Sequence, residues 1–431
     1  MKITREMIRV SAVEVTNLKR FLSAALRELP RPGLARMASL CFSLAVLTTP
    51  FAFYVPLKLF AAAFYLFAVH WLINRPTFHF PPIKLPLAAF LWCNLVSIGW
   101  TASQPVNRKT WYMLLVFGII PLAANLIASE RHLEALCKVL FFESVAGGLL
   151  ATAQFIEQYR AVLQHHPGQV YDYMTMERIR GFTIHWAHFG CQQMLIFLML
   201  LAFLFLSGRK GGLWWAMMAV IGVSILLNFT RSVWLGCLLG GVYLVSRFRP
   251  RLLWLLPALL AAGYLLAPAL VRERVKSVLQ PEADTSATHR YEMWGVAMRM
   301  ISEHPWVGVG PENVERVYPL YLPPGQTPLN SSHAHLHSNY LQLAAERGLP
   351  VLAAWVWFMA ALIREFLRIR SHLSRTRWVA DGGVAIGVAI MVQGAFDYNF
   401  GIFSVVLLFL FLASLPFVAQ EIETRPVALP S

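Results

Sequence analysis

Three histidines alternate in the segment SSHAHLHSNYLQLAAERG: His333, His335 and His337. In an extended chain that alternation places all three on one side. A transition metal is one use for them. Zinc sites, however, favour spacings such as His-x3-His on a helix, completed by Asp, Glu or Cys. The nearest acid along the chain is Glu346. A metal is therefore the lesser reading, and a polar loop bonded to backbone groups is the main alternative for His333 and His335. His337 is different. The residues after it read as a helix, with Tyr340, Leu341, Leu343 and Ala344 on an apolar face and Gly348 closing it. The free N–H groups of a helix N-terminus carry partial positive charge, which disfavours imidazolium and lowers the pKa. A neutral imidazole there can take a proton as a general base. The same helix end can hold an anion such as phosphate.

Cations form a second constellation. Arg231 stands in NFTRSVWLG between two apolar runs, at a depth where charge is expensive and usually functional; an interfacial arginine snorkelling to the headgroups is the equal alternative. Arg178 and Arg180 lie in MERIRGF just before another run, and Arg290 lies in the first turn of a helix read from THRYEMWGVAMRMISEH. Thr288 or Ser286 is the expected cap of that helix, and Trp294, Ala297, Met298 and Ile301 its apolar face. A second short helix is expected near Pro311. A rim of arginines suits a diphosphate, because charge-assisted, often bidentate Arg–phosphate bonds are strong where water is scarce. Lys58, Arg108 and Lys109 are assigned instead to lipid headgroups. Asp397, in GAFDYNF, either pairs with an arginine or is structural, and the structural reading is preferred.

The elements that must position these residues are membrane helices. The chain has 431 residues, 57% hydrophobic and only 14% charged, with a mean hydropathy of +0.55. Soluble domains are about a quarter charged, so much of this chain must face lipid. Apolar runs of about spanning length fall at 37–53, 56–74, 85–101, 110–128, 133–156, 186–207, 212–228, 232–246, 252–271, 349–366, 378–396 and 401–419. They predict an all-α polytopic protein of about twelve transmembrane helices. Residues 1–36 carry eight Lys and Arg and read as a cytoplasmic amphipathic segment. With that end inside, the loops holding Arg75, Lys84, Arg131, Arg209, Lys210, Arg247, Arg249, Arg251 and the 364–377 arginines are all cytoplasmic, as the positive-inside rule requires. Helices one to nine then occupy 37–271, a large helical loop outside the cytoplasm occupies 272–348, helices ten to twelve occupy 349–419, and 420–431 is a cytoplasmic tail. A shorter outside segment covers 157–185. The net charge of +15 follows from topology and anionic-lipid contact, with no nucleic acid. Cys41, Cys93, Cys137, Cys191 and Cys237 sit in or beside apolar runs, with no disulfide framework or CxxC motif.

The blocks HRYEMW, EHPWVGVGPENV and HAHLHSNYLQLAAERGLP in the long loop, with FTRSVWLG upstream, resemble the O-antigen ligase family. That family shares its signature with O-antigen polymerases and some protein O-oligosaccharyltransferases. The resemblance implies a membrane glycosyltransferase of the GT-C type, inverting, without a metal or other cofactor, at the periplasmic face of the bacterial inner membrane. Its donor would be O-antigen polysaccharide on undecaprenyl diphosphate, and its acceptor the outer core sugar of lipid A-core. By motif, Arg231 and Arg290 contact the diphosphate and His337 is the candidate base. Arg178, Arg180, His335 and Asn339 are assigned to substrate binding. Elementary chemistry agrees: a diphosphate leaving group needs positive charge, and the acceptor hydroxyl must lose its proton as it attacks. Polymerase and protein transferase remain open as alternatives. A transporter or flippase is a third, although such proteins show paired halves and ionisable residues at the midplane.

Overall fold

The computed structural model describes residues 33–51, 54–101, 108–208, 211–279, 285–328 and 335–424. These are helical, without a strand among them. Most of the N-terminal segment, His333 and the last seven residues of the tail lie outside the described residues. Each expected span overlaps helix, as a backbone that must satisfy its own hydrogen bonds in hydrocarbon requires, but the one expected at 252–271 is a 3-10 stretch and a helix interrupted at Ala267 and Pro268. In chain order these are α1 (Leu34–Leu47), α2 (Tyr54–Asn74), α3 (Lys84–Trp100), then α4 (Arg108–Leu115) and α5 (Ile119–Leu126), joined by a 3-10 turn. Next come α6 (Glu130–His165), the short α7 (Val170–Met176), α8 (Trp186–Leu206), α9 (Gly212–Leu227) and α10 (Arg231–Phe248). A 3-10 stretch leads into α11 (Leu256–Leu266). The long polar segment that follows contributes α12 (Ala269–Leu279), α13 (Thr285–Glu303), α14 (Val314–Val317) and α15 (Asn339–Arg347). The chain then runs through α16 (Leu349–Ile369), α17 (Arg377–Gly394) and α18 (Phe403–Thr424).

Six of these stretches are long and apolar enough to cross a bilayer: α2, α4 with α5, α6, α8, α16 and α18. Helices α1, α3, α9 and the 250–266 stretch are apolar but shorter. Helix α6 has 36 residues and runs to His165, well past the expected end at 156. At 1.5 Å per residue it is about 54 Å long, so it projects beyond the hydrocarbon.

The last helix, α18, fills the centre. Nearly all its residues from Phe403 to Ala419 are buried, with Phe409 and Phe411 fully enclosed. Helix α17 lies against α8 and α10. Gly236 and Gly240 of α10 allow the close approach: a Cβ at either would stand 3.1 Å from the Ala389 carbonyl or 3.0 Å from the Ala385 carbonyl of α17. Small residues four apart are a general means of bringing membrane helices into backbone contact. The five cysteines are free, as expected.

The long polar segment departs from its sequence reading in two places. Helix α13 begins at Thr285, so Thr288 lies inside it. Its buried face is Met293, Val296, Ala297 and Met300, while Met298 is 59% exposed. The face is rotated because α13 packs on Tyr318, Tyr321 and Leu336 of the same loop, in a small core of its own. The second short helix begins at Val314, after a turn at Pro311 and Glu312.

Loops assigned to one side by charge meet in space. At one end Arg375 pairs with Glu130 and Asp381 with Arg370 and Arg377, while Glu423 accepts from Ser374, Arg375 and Thr376. The 272–348 loop gathers at the other end with the starts of α4, α8 and α18. Single cysteines placed at 291 or 306 in a cysteine-free background should therefore react with an impermeant thiol reagent from outside the cell. Labelling only after membrane disruption would reverse the orientation.

Candidate active site

The site is built around α15. Ser338 caps this helix, its hydroxyl accepting from the Leu341 N–H. The helix end is thus closed by the protein's own side chain, whereas the sequence left it open to an anion. At the other end the PWVGVG turn folds over the last carbonyls: Val309 N–H donates to Ala345 at 2.9 Å and Gly310 N–H to Glu346 at 2.9 Å. Gly308 and Gly348 both hold positive φ, and a Cβ on either would meet opposing backbone at 2.3 Å. This explains why EHPWVGVGP and AERG occur together: each makes a surface that fits the other. Arg347, also buried, donates to Asn94 Oδ1 of α3 at 2.5 Å, and Ser97 donates to the Val307 carbonyl at 2.8 Å. The loop helix is thereby bolted to the membrane bundle.

His337 precedes the cap in a left-handed conformation, φ 46°. Such backbone costs a side-chain-bearing residue about 1–2 kcal/mol and persists where the surroundings over-determine it. Phe229 (φ 54°) and Glu312 (φ 62°) share the feature. Three of the four described non-glycine residues at positive φ therefore border this one region, and such strain gathers at functional sites.

Asp397 is the partner that the sequence could not supply. Its Oδ1 lies 3.6 Å from His337 Nδ1, with the side chains 7% and 26% exposed. This is an ion-pair separation slightly beyond hydrogen-bond length; catalytic hydrogen bonds are commonly long before substrate arrives. The Tyr398 N–H donates to Oδ1 at 2.9 Å and Gln393 Nε2 to Oδ2 at 3.4 Å. Burial alone would raise the carboxyl, but His337, His335 and Arg290 outweigh it and hold the group below the usual carboxylate range. Asp397 is therefore ionised at neutral pH.

Asn339 joins the two loops. Its Oδ1 accepts from the Asn399 and Phe400 N–H groups, each at 3.0 Å, and its Nδ2 donates to Asn399 Oδ1 at 2.7 Å. Asn339 is fully buried, so it positions the 397 loop against His337 and does not face the cavity.

A cavity of about 500 Å³ opens in front of the pair, lined among others by His185, His335, His337, Glu312, Glu315 and Asp397. His335 packs beside His337, ring centroids 4.5 Å apart. Burial and then the neighbouring His337 push its pKa down to about 4, so it is neutral at pH 7. Lys109 also lines the cavity and pairs with Glu312 at 3.0 Å. Its assignment to lipid headgroups is thus corrected, whereas Lys58 and Arg108 are exposed.

Beside the cavity four arginines gather. Arg178 rests 4.1 Å over the Trp186 ring and donates to the Thr175 carbonyl at 2.8 Å. Burial and the charges of Arg274, Arg290 and Arg231 lower its pKa toward about 9, which still leaves it charged at pH 7. Arg231 opens α10 and donates from Nη1 to the Ser277 carbonyl and hydroxyl, each at 3.1 Å. Arg274, on the same α12 and 4% exposed, donates to the Phe229 carbonyl at 3.0 Å and to the Tyr171 hydroxyl at 3.4 Å. It thus holds the strained turn that aims Arg231. Arg290, on α13, is close enough for its charge to be felt by both Asp397 and Arg178. Arg180 is exposed and joins neither the His337–Asp397 pair nor the arginines; its backbone N–H bonds Gln154 at 3.2 Å.

The structure thus brings together His335, His337, Arg178, Arg231 and Arg290. It adds Asp397 and Arg274, which sequence reasoning missed. The one signal for Arg274 was its place among the charges that open the long loop. For Asp397 it was an acid at the membrane edge.

No curated protein matches the chain. Residues 195–356 match the family model described as O-antigen ligase, a stretch that runs from α8 into α16 and contains Arg231, Arg290, His335, His337 and Asn339. Arg178 and Asp397 lie outside it and reach the site through the fold. That match bears out the resemblance read from the motifs: over residues 195–356 the chain is similar to the O-antigen ligase family.

Proposed function

We propose that this protein is an O-antigen ligase, an inverting glycosyltransferase of the GT-C type. It transfers O-antigen polysaccharide from undecaprenyl diphosphate to an outer core sugar of lipid A-core, at the periplasmic face of the inner membrane. The observation that carries this reading is the juxtaposition of the His337–Asp397 pair with an arginine cluster, at the end of the bundle opposite the paired 364–377 arginines. The arginines hold the diphosphate and stabilise the negative charge it gains as the bond to the anomeric carbon breaks. The acceptor hydroxyl oxygen attacks that carbon from the opposite face, and its proton passes to His337 Nε2. Asp397 keeps the other ring proton on Nδ1 and stabilises the imidazolium that forms, an orienting role familiar from other His–Asp pairs. With four guanidinium groups supplying positive charge, the reaction proceeds without a metal. Both substrates are lipid-anchored, so diffusion in the outer leaflet and capture at one cavity supply much of the proximity.

The test is to give purified protein labelled lipid-linked glycan together with lipid A-core, lipid-linked repeat units and a hydroxyl-rich protein. Label should appear on lipid A-core. Label on a second lipid-linked glycan, or on protein, would replace the ligase reading with polymerase or protein transferase. Within the ligase reading, Asp397→Asn should lower kcat by roughly two orders of magnitude. Donor KM should hardly move, because the residue acts through His337 and not on the donor. A change confined to KM would reassign Asp397 to binding.

A further inference from the structure

We propose that His335, His337 and Asp397 together form a binding site for a divalent transition-metal ion, zinc above all, and that its occupancy switches transfer off. Each residue offers one ligand atom, and the three atoms lie within 4.8 Å of one another. They come from two separate loops, 335–338 and 395–402, pinned together by Asn339. His337 Nδ1 is buried without a hydrogen bond and stands 3.6 Å from Asp397 Oδ1. Two ligands about 2.1 Å from one ion at a tetrahedral angle are about 3.4 Å apart. The observed gap is long for a hydrogen bond and within a few tenths of an ångström of what a shared ion imposes. Imidazole suits zinc, copper and nickel, and a carboxylate oxygen is a regular ligand of zinc. Asp397 is already oriented from behind by Gln393 and the Tyr398 N–H, the kind of outer support that metal ligands generally carry. All three residues line the 500 Å³ cavity, so an ion can reach them from it and a water or chloride can complete its shell.

The inhibitory part rests on the reading of His337 as the base. An ion on Nδ1 leaves the ring proton on Nε2, and the ring then has no lone pair for the acceptor hydroxyl. The same ion takes the Asp397 carboxylate away from its orienting role. The arginines lie outside the three ligands, so donor binding should continue.

The experiment uses the full-length protein in nanodiscs, stripped with EDTA and then freed of it, without substrate. Zinc is titrated by calorimetry, and cobalt is followed by visible absorption. One ion per chain is expected, with d–d bands for cobalt and at least a tenfold loss of affinity in His335→Ala, His335→Gln and Asp397→Asn. Thermal unfolding of each variant establishes that it is folded. Equal affinity in the wild type and all folded variants would overturn the site. The base reading would stand, because it is tested by His337→Ala without any metal. In the transfer assay, zinc at saturation should abolish product and EDTA should restore it, with donor binding unchanged. Full transfer with the site demonstrably occupied would overturn the switch.

Discussion

In His337→Ala, transfer of glycan to lipid A-core should fall by two to four orders of magnitude, the usual worth of a positioned proton acceptor. The protein should still insert, fold and bind the lipid-linked donor. The separation follows from the layout of the site. His337 and Asp397 face the cavity, whereas the cations that would hold the diphosphate stand on α10, α12 and α13 and, for Arg178, in the segment before α8. Removing the imidazole leaves those helices untouched. Its cap, Ser338, and the Asn339 clamp also remain. Alanine would still hold the left-handed backbone under strain, so fold should be checked by thermal unfolding. The measurement is single-turnover transfer beside donor binding. Loss of donor binding in this variant, or an equal loss in His335→Ala, would remove the base assignment and point to a shared structural role.

Arg231→Ala and Arg290→Ala should each cost about 3 kcal/mol of transition-state stabilisation, a loss of order 10² in kcat/KM, on the scale of one charged donor to a developing anion. Lysine should rescue only in part, because a point charge cannot reproduce the planar fork. The two positions should differ in one respect. Arg231 also bonds the Ser277 carbonyl and hydroxyl, so its loss should loosen α12 and lower the melting temperature. Transfer by Arg290→Lys at the wild-type rate would show that charge alone suffices and end the bidentate picture.

The helical layout was legible because hydropathy in a membrane protein is local and strong. The loop motifs were legible because they are contiguous. What escaped was whatever depends on which apolar surface meets protein and which meets lipid. Helices α18 and α2 are both strongly apolar, yet α18 is 94% buried over its span and α2 only 17%. Lipid tails and a protein core select the same side chains, so hydropathy cannot separate the two. Asp397 escaped for the same reason: its approach to His337, 60 residues away, depends on how α17 and α18 seat against α15. The face of α13 was misplaced because its partners, Tyr318 and Tyr321, belong to a loop core with no sequence period of its own.

The contact between α10 and α17 bears on which mutations the protein can tolerate. Arg231 begins α10, and Asp397 follows α17 by three residues. His337 is tied to the end of α17 through Asn339, whose amide fills the place where a Cβ on Gly394 would go. The spacing of Arg231, Asp397 and His337 is therefore set by backbone touching backbone at Gly236 and Gly240 and by one amide over Gly394. A methyl group at 236 or 240 would push against a carbonyl that cannot rotate away. Exposed apolar positions such as Leu259 and Leu266 can change freely by comparison. Alanine scanning read out as transfer should find deep losses at these three glycines. The chemically inert positions would then be nearly as intolerant of change as His337 itself.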